Sequence, residues 1–142
     1  MATADHDDFL GIWELLPDTC QFEQGDPPRA GTYRIEQTDD GAVRFTLRLT
    51  HADGTEVTVH LEGPPDGRRQ PFAGGELADA IAIEAVSPRE LNSYAYWQGR
   101  QLMVAQRQLD DTGLHMRVVQ AVHLPDGTRP VNVSIYRRVL EH

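Results

Sequence analysis

Val43-Arg44-Phe45-Thr46-Leu47-Arg48-Leu49, then Asp53-Gly54, then Val57-Thr58-Val59-His60-Leu61: apolar and polar side chains alternate on both sides of a turn pair. Successive side chains of a strand point to opposite faces, so this alternation predicts two strands, each burying one aliphatic face, joined by a tight hairpin. Toward the N-terminus, Tyr33 and Ile35 oppose Arg34 and Glu36 in the same way. Toward the C-terminus, further strands are predicted at 79–86, 90–97, 101–109, 114–124 and 130–139, making nine with one that starts near Ile12.

Turn pairs separate these runs: Asp40-Gly41, Asp53-Gly54, Asp66-Gly67, Gln98-Gly99, Thr112-Gly113 and Asp126-Gly127. Each can close a hairpin, because glycine adopts positive φ without a Cβ penalty. Helix signals are confined to one turn at 7–10. Two proline-rich stretches, 17–31 and 63–78, are expected to be long loops packed over an end of the structure. Consecutive antiparallel strands with short turns predict an all-β fold: a single up-and-down antiparallel β-barrel of about 8–10 strands with little helix. A two-sheet sandwich is the alternative, but it needs more long connections, and a barrel removes exposed sheet edges.

At 142 residues the chain fits one domain, expected over 1–139, with 140–142 reading as the remnant of a purification tag. Apolar residues at 39% and charged residues at 25% exclude a disordered chain and a helical membrane protein. Thirteen basic against 22 acidic residues give a net charge of −9, which weighs against nucleic acid and anionic membranes as partners. Cys20 stands alone, so no internal disulfide or cysteine-cluster metal site is expected. Asp5, Asp7 and Asp8 occupy the region where a secretory leader would be basic, so a cytoplasmic location is expected.

Phe9-Leu10-Gly11-Ile12-Trp13 and Ser134-Ile135-Tyr136-Arg137-Arg138 resemble the Gly-x-Trp opening and the final strand of the calycins, the lipocalin and fatty-acid-binding-protein superfamily. Residues 11–16, 64–74 and 132–136 resemble a bacterial group of lipocalin-like proteins of unassigned function. The resemblance implies that Gly11 and Trp13 lie at the closed end of the barrel. It also implies that Arg138 or Arg137 covers the Trp13 ring; Arg138 has the parity of Tyr136. Fatty-acid-binding members carry an arginine two residues before the final-strand tyrosine to hold a carboxylate. Here that position is Ser134, and 17–31 is too short and proline-rich for their helical lid, so a neutral guest is expected.

The C-terminal strands are more polar. Leu102 and Val104 share a face with Gln106; Met116, Val118 and Val122 share one with Gln120; Asn132, Ser134, Tyr136 and Arg138 share another. Turned inward, these faces would set amides and hydroxyls opposite an aliphatic wall, the make-up of a small-molecule pocket. Such groups must bond to one another, to water or to a ligand. The opposite facing of the last strand, with Val131, Val133 and Ile135 inward, is the alternative. Tyr94 and Tyr96 alternate with Ala95 and Trp97, so either facing is expected to bring an aromatic ring to the cavity, and Phe72 is a candidate lid. The expected lining is therefore Tyr33, Phe45, Leu47, Val59, Tyr94, Tyr96, Gln106, Met116, Val118, Gln120, Ser134 and Tyr136.

The expected function is binding or carriage of a small, mostly apolar, neutral molecule in the lumen. The rival is a filled barrel, with Tyr94, Trp97 and Met116 packed inside, that acts through its surface or as a homodimer. No nucleophile elbow, Cys/His pairing or phosphate loop is present, so an enzyme is not expected; an isomerase or cyclase using Tyr136 and Gln120 is the remaining alternative. His51, His60, His115 and His123 show no metal-ligand spacing and read as surface residues, so neither metal nor cofactor is expected; haem ligation by an inward His60 or His123 is the exception considered.

Overall fold

The structure is a computed structural model that describes residues 6–23, 25–71 and 78–140. Among them are ten antiparallel strands: β1 (Gly11–Phe22), β2 (Ala30–Gln37), β3 (Val43–Thr50), β4 (Glu56–Gly63), β5 (Gln70–Pro71), β6 (Ala80–Ser87), β7 (Glu90–Trp97), β8 (Arg100–Leu109), β9 (His115–Val122) and β10 (Val131–Arg138). They lie in the order β4-β3-β2-β1-β10-β9-β8-β7-β6-β5, so the meander bends round until the first strand meets the last. A single 3-10 turn, Asp7–Phe9, precedes β1. No helix among the described residues is long and apolar enough to cross a membrane.

Hairpin chemistry matches the turn pairs except Asp66-Gly67, which runs beside β6 instead of joining two paired strands. At the β7–β8 connection Gln98 has φ 49° and Gly99 φ 83°, the two left-handed residues of a two-residue primed turn. At the β8–β9 turn the Asp110 carboxylate accepts bonds from the Thr112 hydroxyl (2.7 Å) and the Thr112 N–H (3.2 Å), and lies 3.0 Å from His115 Nδ1. The Thr112 hydroxyl above all, with His115, holds the Asp110 pKa down at about 2. The folded value lies below the ordinary 3.8, so this contribution to stability is present above that value and lost as pH falls through about 2. Asp110→Asn is therefore expected to lower stability at pH 6, with the difference from wild type shrinking as pH falls toward 2, as read by urea denaturation at each pH.

Two stretches differ from the loop expectation. β1 continues through Pro17 to Phe22, because its pairing with β10 slips between Leu16 and Gln21 and the slip is filled by a side chain. Thr19 Oγ1 donates to the Leu16 carbonyl (2.6 Å) and accepts the Ile135 N–H (3.0 Å), doing the work of missing ladder bonds. Proline is tolerated at such a bulge, where no ladder donor is needed. After β4 the chain crosses to the far side of the seam and runs along β6. Gly67 N–H bonds to the Ile83 carbonyl (2.8 Å), β5 pairs with Ala80 and Ile81, and the Arg69 guanidinium lies 4.1 Å from the Tyr96 ring centre. Phe72 lies outside the described residues, as do Glu141 and His142.

One end of the barrel is solid. Phe9 and Trp13 are fully buried there, packed with Ile35, Val43, Leu91 and Met116. Trp13 Nε1 donates to the Phe9 carbonyl (3.0 Å), and the Arg138 guanidinium stacks 4.2 Å from the Trp13 ring. Arg138 also donates to the carbonyls of Leu10 (2.8 Å), Gly113 (3.2 Å) and Asp8, so one side chain ties the turn before β1 to the β8–β9 hairpin. Gly11 has φ 133°, and a Cβ there would stand 3.0 Å from Arg138 Nη1. That accounts for glycine two residues before the tryptophan. Arg137 points the other way, toward Glu14 at 3.5 Å.

Candidate ligand cavity

Above the solid end, a cavity of about 270 Å³ occupies the open half of the barrel. Its apolar wall is built by β3 and β4, whose alternation turns Phe45, Leu47, Leu49, Val59 and Leu61 inward. The opposite wall is set by β7 to β10. The pairings Ser93↔Ala105, Ala105↔Gln120 and Gln120↔Asn132 carry one face across all four strands, and Val118, Ser134 and Tyr136 follow it. Phe22, Pro28 and His51 stand at the mouth. Met116 lies below, fully buried in the floor. The barrel is thus filled in one half and hollow in the other. A wider depression of about 700 Å³ on the outside of β2–β4 is lined by Arg34, Arg48, Thr46 and Thr58 and is shallow surface rather than an enclosed site.

The chemistry of the cavity centres on Arg107, which is 2% exposed. Its Nε and Nη2 donate to Tyr33 Oη at 2.9 and 2.6 Å, and its Nη1 and Nη2 both donate to Ser93 Oγ at 3.1 Å. The guanidinium carbon lies 4.2 Å from the Phe45 ring centre and 5.3 Å from that of Tyr33. No carboxylate among the described residues forms an ion pair with it. Tyr33 and Ser93 both act as acceptors toward Arg107, so each hydroxyl keeps its own proton to donate. Tyr136 stacks edge-on against Tyr33 at 5.4 Å, and burial, with the neighbouring Tyr33, pushes its pKa well above the usual phenol range. It therefore stays neutral. Gln120 Nε2 lies 2.8 Å from Met103 Sδ, and Asn132 Oδ1 accepts the Glu23 N–H (3.0 Å), tying the mouth to β10.

No protein-family model matches the sequence, and no curated protein matches it. Solved structures do match in shape. The fluorescent protein UnaG superposes with a TM-score of 0.61 at 16% identity, over 95% of this chain and 100% of that one. The zebrafish ileal bile acid-binding protein complexed with cholic acid gives 0.52 at 14% identity, over 93% and 99%. Bovine odorant-binding protein complexed with its natural ligand gives 0.51 at 14% identity, over 100% and 78%. The fold is the antiparallel β-barrel that these structures share.

Within this barrel, Ser134 takes an inward place on β10, and the cation that lines the lumen, Arg107, comes from β8. Arg107 is the residue that sequence reasoning missed. Of the expected lining, Tyr33, Phe45, Leu47, Val59, Val118, Gln120, Ser134 and Tyr136 lie on the cavity wall. Tyr94, Tyr96 and Gln106 do not. Leu91↔Arg107 and Ser93↔Ala105 put the odd-numbered residues of β7 and β8 inside, so Asn92, Tyr94, Val104 and Gln106 face out. Tyr94 Oη donates to Glu84 (3.1 Å) on that outer surface, Tyr96 lies under Arg69, and Trp97 sits exposed at the hairpin. The facing that β7 adopts brings no aromatic ring into the cavity, because its inward residues are Ser93 and Ala95 and Trp97, of the same parity, is exposed. His60 is also on the outside, 3.5 Å from Thr46 Oγ1.

The parity error on β8 has a physical origin. Leu102, Val104 and Gln106 are no less apolar than Met103, Ala105 and Arg107, and Val104 is only 8% exposed although it faces out. A signal was present at the strand end: Leu109, buried just before the turn, shares the parity of Arg107.

Proposed function

We propose that the barrel binds a small, mostly apolar molecule in its lumen and that the molecule carries an anionic group held by Arg107, Tyr33 and Ser93. The supporting observation is a buried guanidinium that faces a cavity lined by no carboxylate among the described residues. Burying a cation costs several kcal/mol unless it is paired, and two neutral hydroxyls with an aromatic face compensate only part of that. A guest carboxylate or sulfonate would supply the rest. The apolar wall of Phe45, Leu47 and Leu61 would take the hydrocarbon part. This replaces the neutral guest suggested by Ser134, since the lost arginine of β10 is matched by one on β8.

A cavity of about 270 Å³ limits the guest to a small molecule. Displacement of 8-anilinonaphthalene-1-sulfonate by octanoate and by octanol separates the cases. Octanoate is expected to displace the dye well below the octanol concentration. Equal potency would remove the anionic part, and failure of the dye and both competitors to bind would remove lumen binding altogether.

A further inference from the structure

β4 ends the sheet: it pairs with β3 on one side and with no strand on the other among the described residues. Which of its backbone groups are free follows from the neighbouring bonds. His51 N–H bonds to the Thr55 carbonyl (2.8 Å), while the Thr50 carbonyl accepts Arg29 N–H on the β2 side (2.9 Å). A residue of an antiparallel strand directs its N–H and C=O to the same side, and the side alternates. The odd-numbered residues of β3 therefore serve β4, their partners Val57, Val59 and Leu61 point back at β3, and Glu56, Thr58 and His60 direct their N–H and C=O away from the barrel.

This free edge lacks two of the usual protections, proline and lysine. It contains no proline, the chain has no lysine, and Val57 and Val59 are 38% and 47% exposed. An edge of this kind is a template for another strand. We propose that it is the docking site of a second copy of this chain, β4 against β4, antiparallel about a two-fold axis at Thr58. The pattern of the strand selects that partner and that register. With Thr58 opposite the partner's Thr58, all three free residues pair: Thr58 with the partner's Thr58, Glu56 with the partner's His60, and His60 with the partner's Glu56. The exposed Val57 meets the partner's Val59, and the reverse, on the lumen side. Sliding by one pairing step in one direction sets Glu56 against the partner's Glu62, a like-charge pair, and in the other sets Glu56 against the partner's Thr58 and His60 against the partner's Gly54, losing both Glu–His pairs. A slip of opposite parity would put valine faces against polar ones. Val59 also lines the cavity, so a partner strand would extend the lumen wall beyond β4.

Sedimentation velocity over a concentration series tests this, with wild type, Thr58→Pro, His60→Glu and the double variant Glu56→Arg/His60→Glu. Wild type is expected to approach twice the chain mass as concentration rises. Thr58 N–H is not used by β3, so Thr58→Pro removes an edge donor without breaking the inner ladder; it is expected to be monomeric with the near-UV circular dichroism of wild type. Should that variant not fold, His60→Glu, on the outer surface, decides: two Glu–Glu oppositions are expected to weaken the dimer about tenfold, and the double variant to restore it. A wild type that stays monomeric throughout, or a dimer that every variant leaves intact, would overturn the assignment.

Discussion

Arg107→Met is expected to weaken binding of an anionic apolar dye by roughly 30- to 3,000-fold, because truncating one partner of a buried charge pair costs ~2–5 kcal/mol and each 1.4 kcal/mol is tenfold. A neutral dye should bind the variant as well as wild type or better. Methionine keeps much of the volume and the contact with Phe45, so the wall does not collapse. The second half of the expectation has the opposite sign. Without ligand, wild type buries a cation with no carboxylate partner among the described residues, and removing it should leave the melting temperature unchanged or raise it. Loss of anion affinity together with retained stability distinguishes a ligand-holding arginine from a structural one. If the ligand-free variant instead melts well below wild type and still binds the anionic dye, Arg107 serves packing through Tyr33 and Ser93.

Trp13→Ala is expected to be the most destabilising single substitution in the barrel, lowering stability by about 3–5 kcal/mol, as large-to-small changes of buried aromatics do. For a chain of this size that is a fall in melting temperature of about 10–20 °C. The indole fills the solid end at no exposure, bonds to the Phe9 carbonyl and supports the Arg138 guanidinium, so its removal leaves both a cavity and a cation without its aromatic face. Trp13→Phe should cost less, because a ring stays beneath Arg138 and only the Nε1 bond and part of the volume are lost. Differential scanning calorimetry on the three proteins checks the order. A loss under about 1 kcal/mol for the alanine variant would show that the closed end is held mainly by other contacts.

Much of this was legible in the chain. The β3–β4 hairpin followed from the alternation of 43–61, and every hairpin glycine at 41, 54, 99, 113 and 127 has positive φ. The inward row Asn132, Ser134, Tyr136 was one of two facings left open, and the pairing of Tyr136 with Leu15 selects it. The cavity itself was less legible. Tyr94 and Tyr96 looked like lumen aromatics because tyrosine in a strand usually buries its ring. The ring of Tyr96 is covered by Arg69, which reaches it from a segment that local pattern marked only as loop. The free edge of β4 was also hidden, since closure was inferred for the barrel as a whole and the seam depends on where the chain goes after Gly63.

The sequence by itself determined most of the strands and their hairpins, because side-chain alternation and left-handed turn residues are local properties, while the residues of the solid end were placed by resemblance to known barrels. Only the tertiary structure decided that Arg107 enters the lumen. β8 has two faces of similar polarity, and Leu109 at its end is the one local residue that favours the face of Arg107. Its register against β7, set by Leu91 and Leu109 packing into the floor, turned the arginine inward.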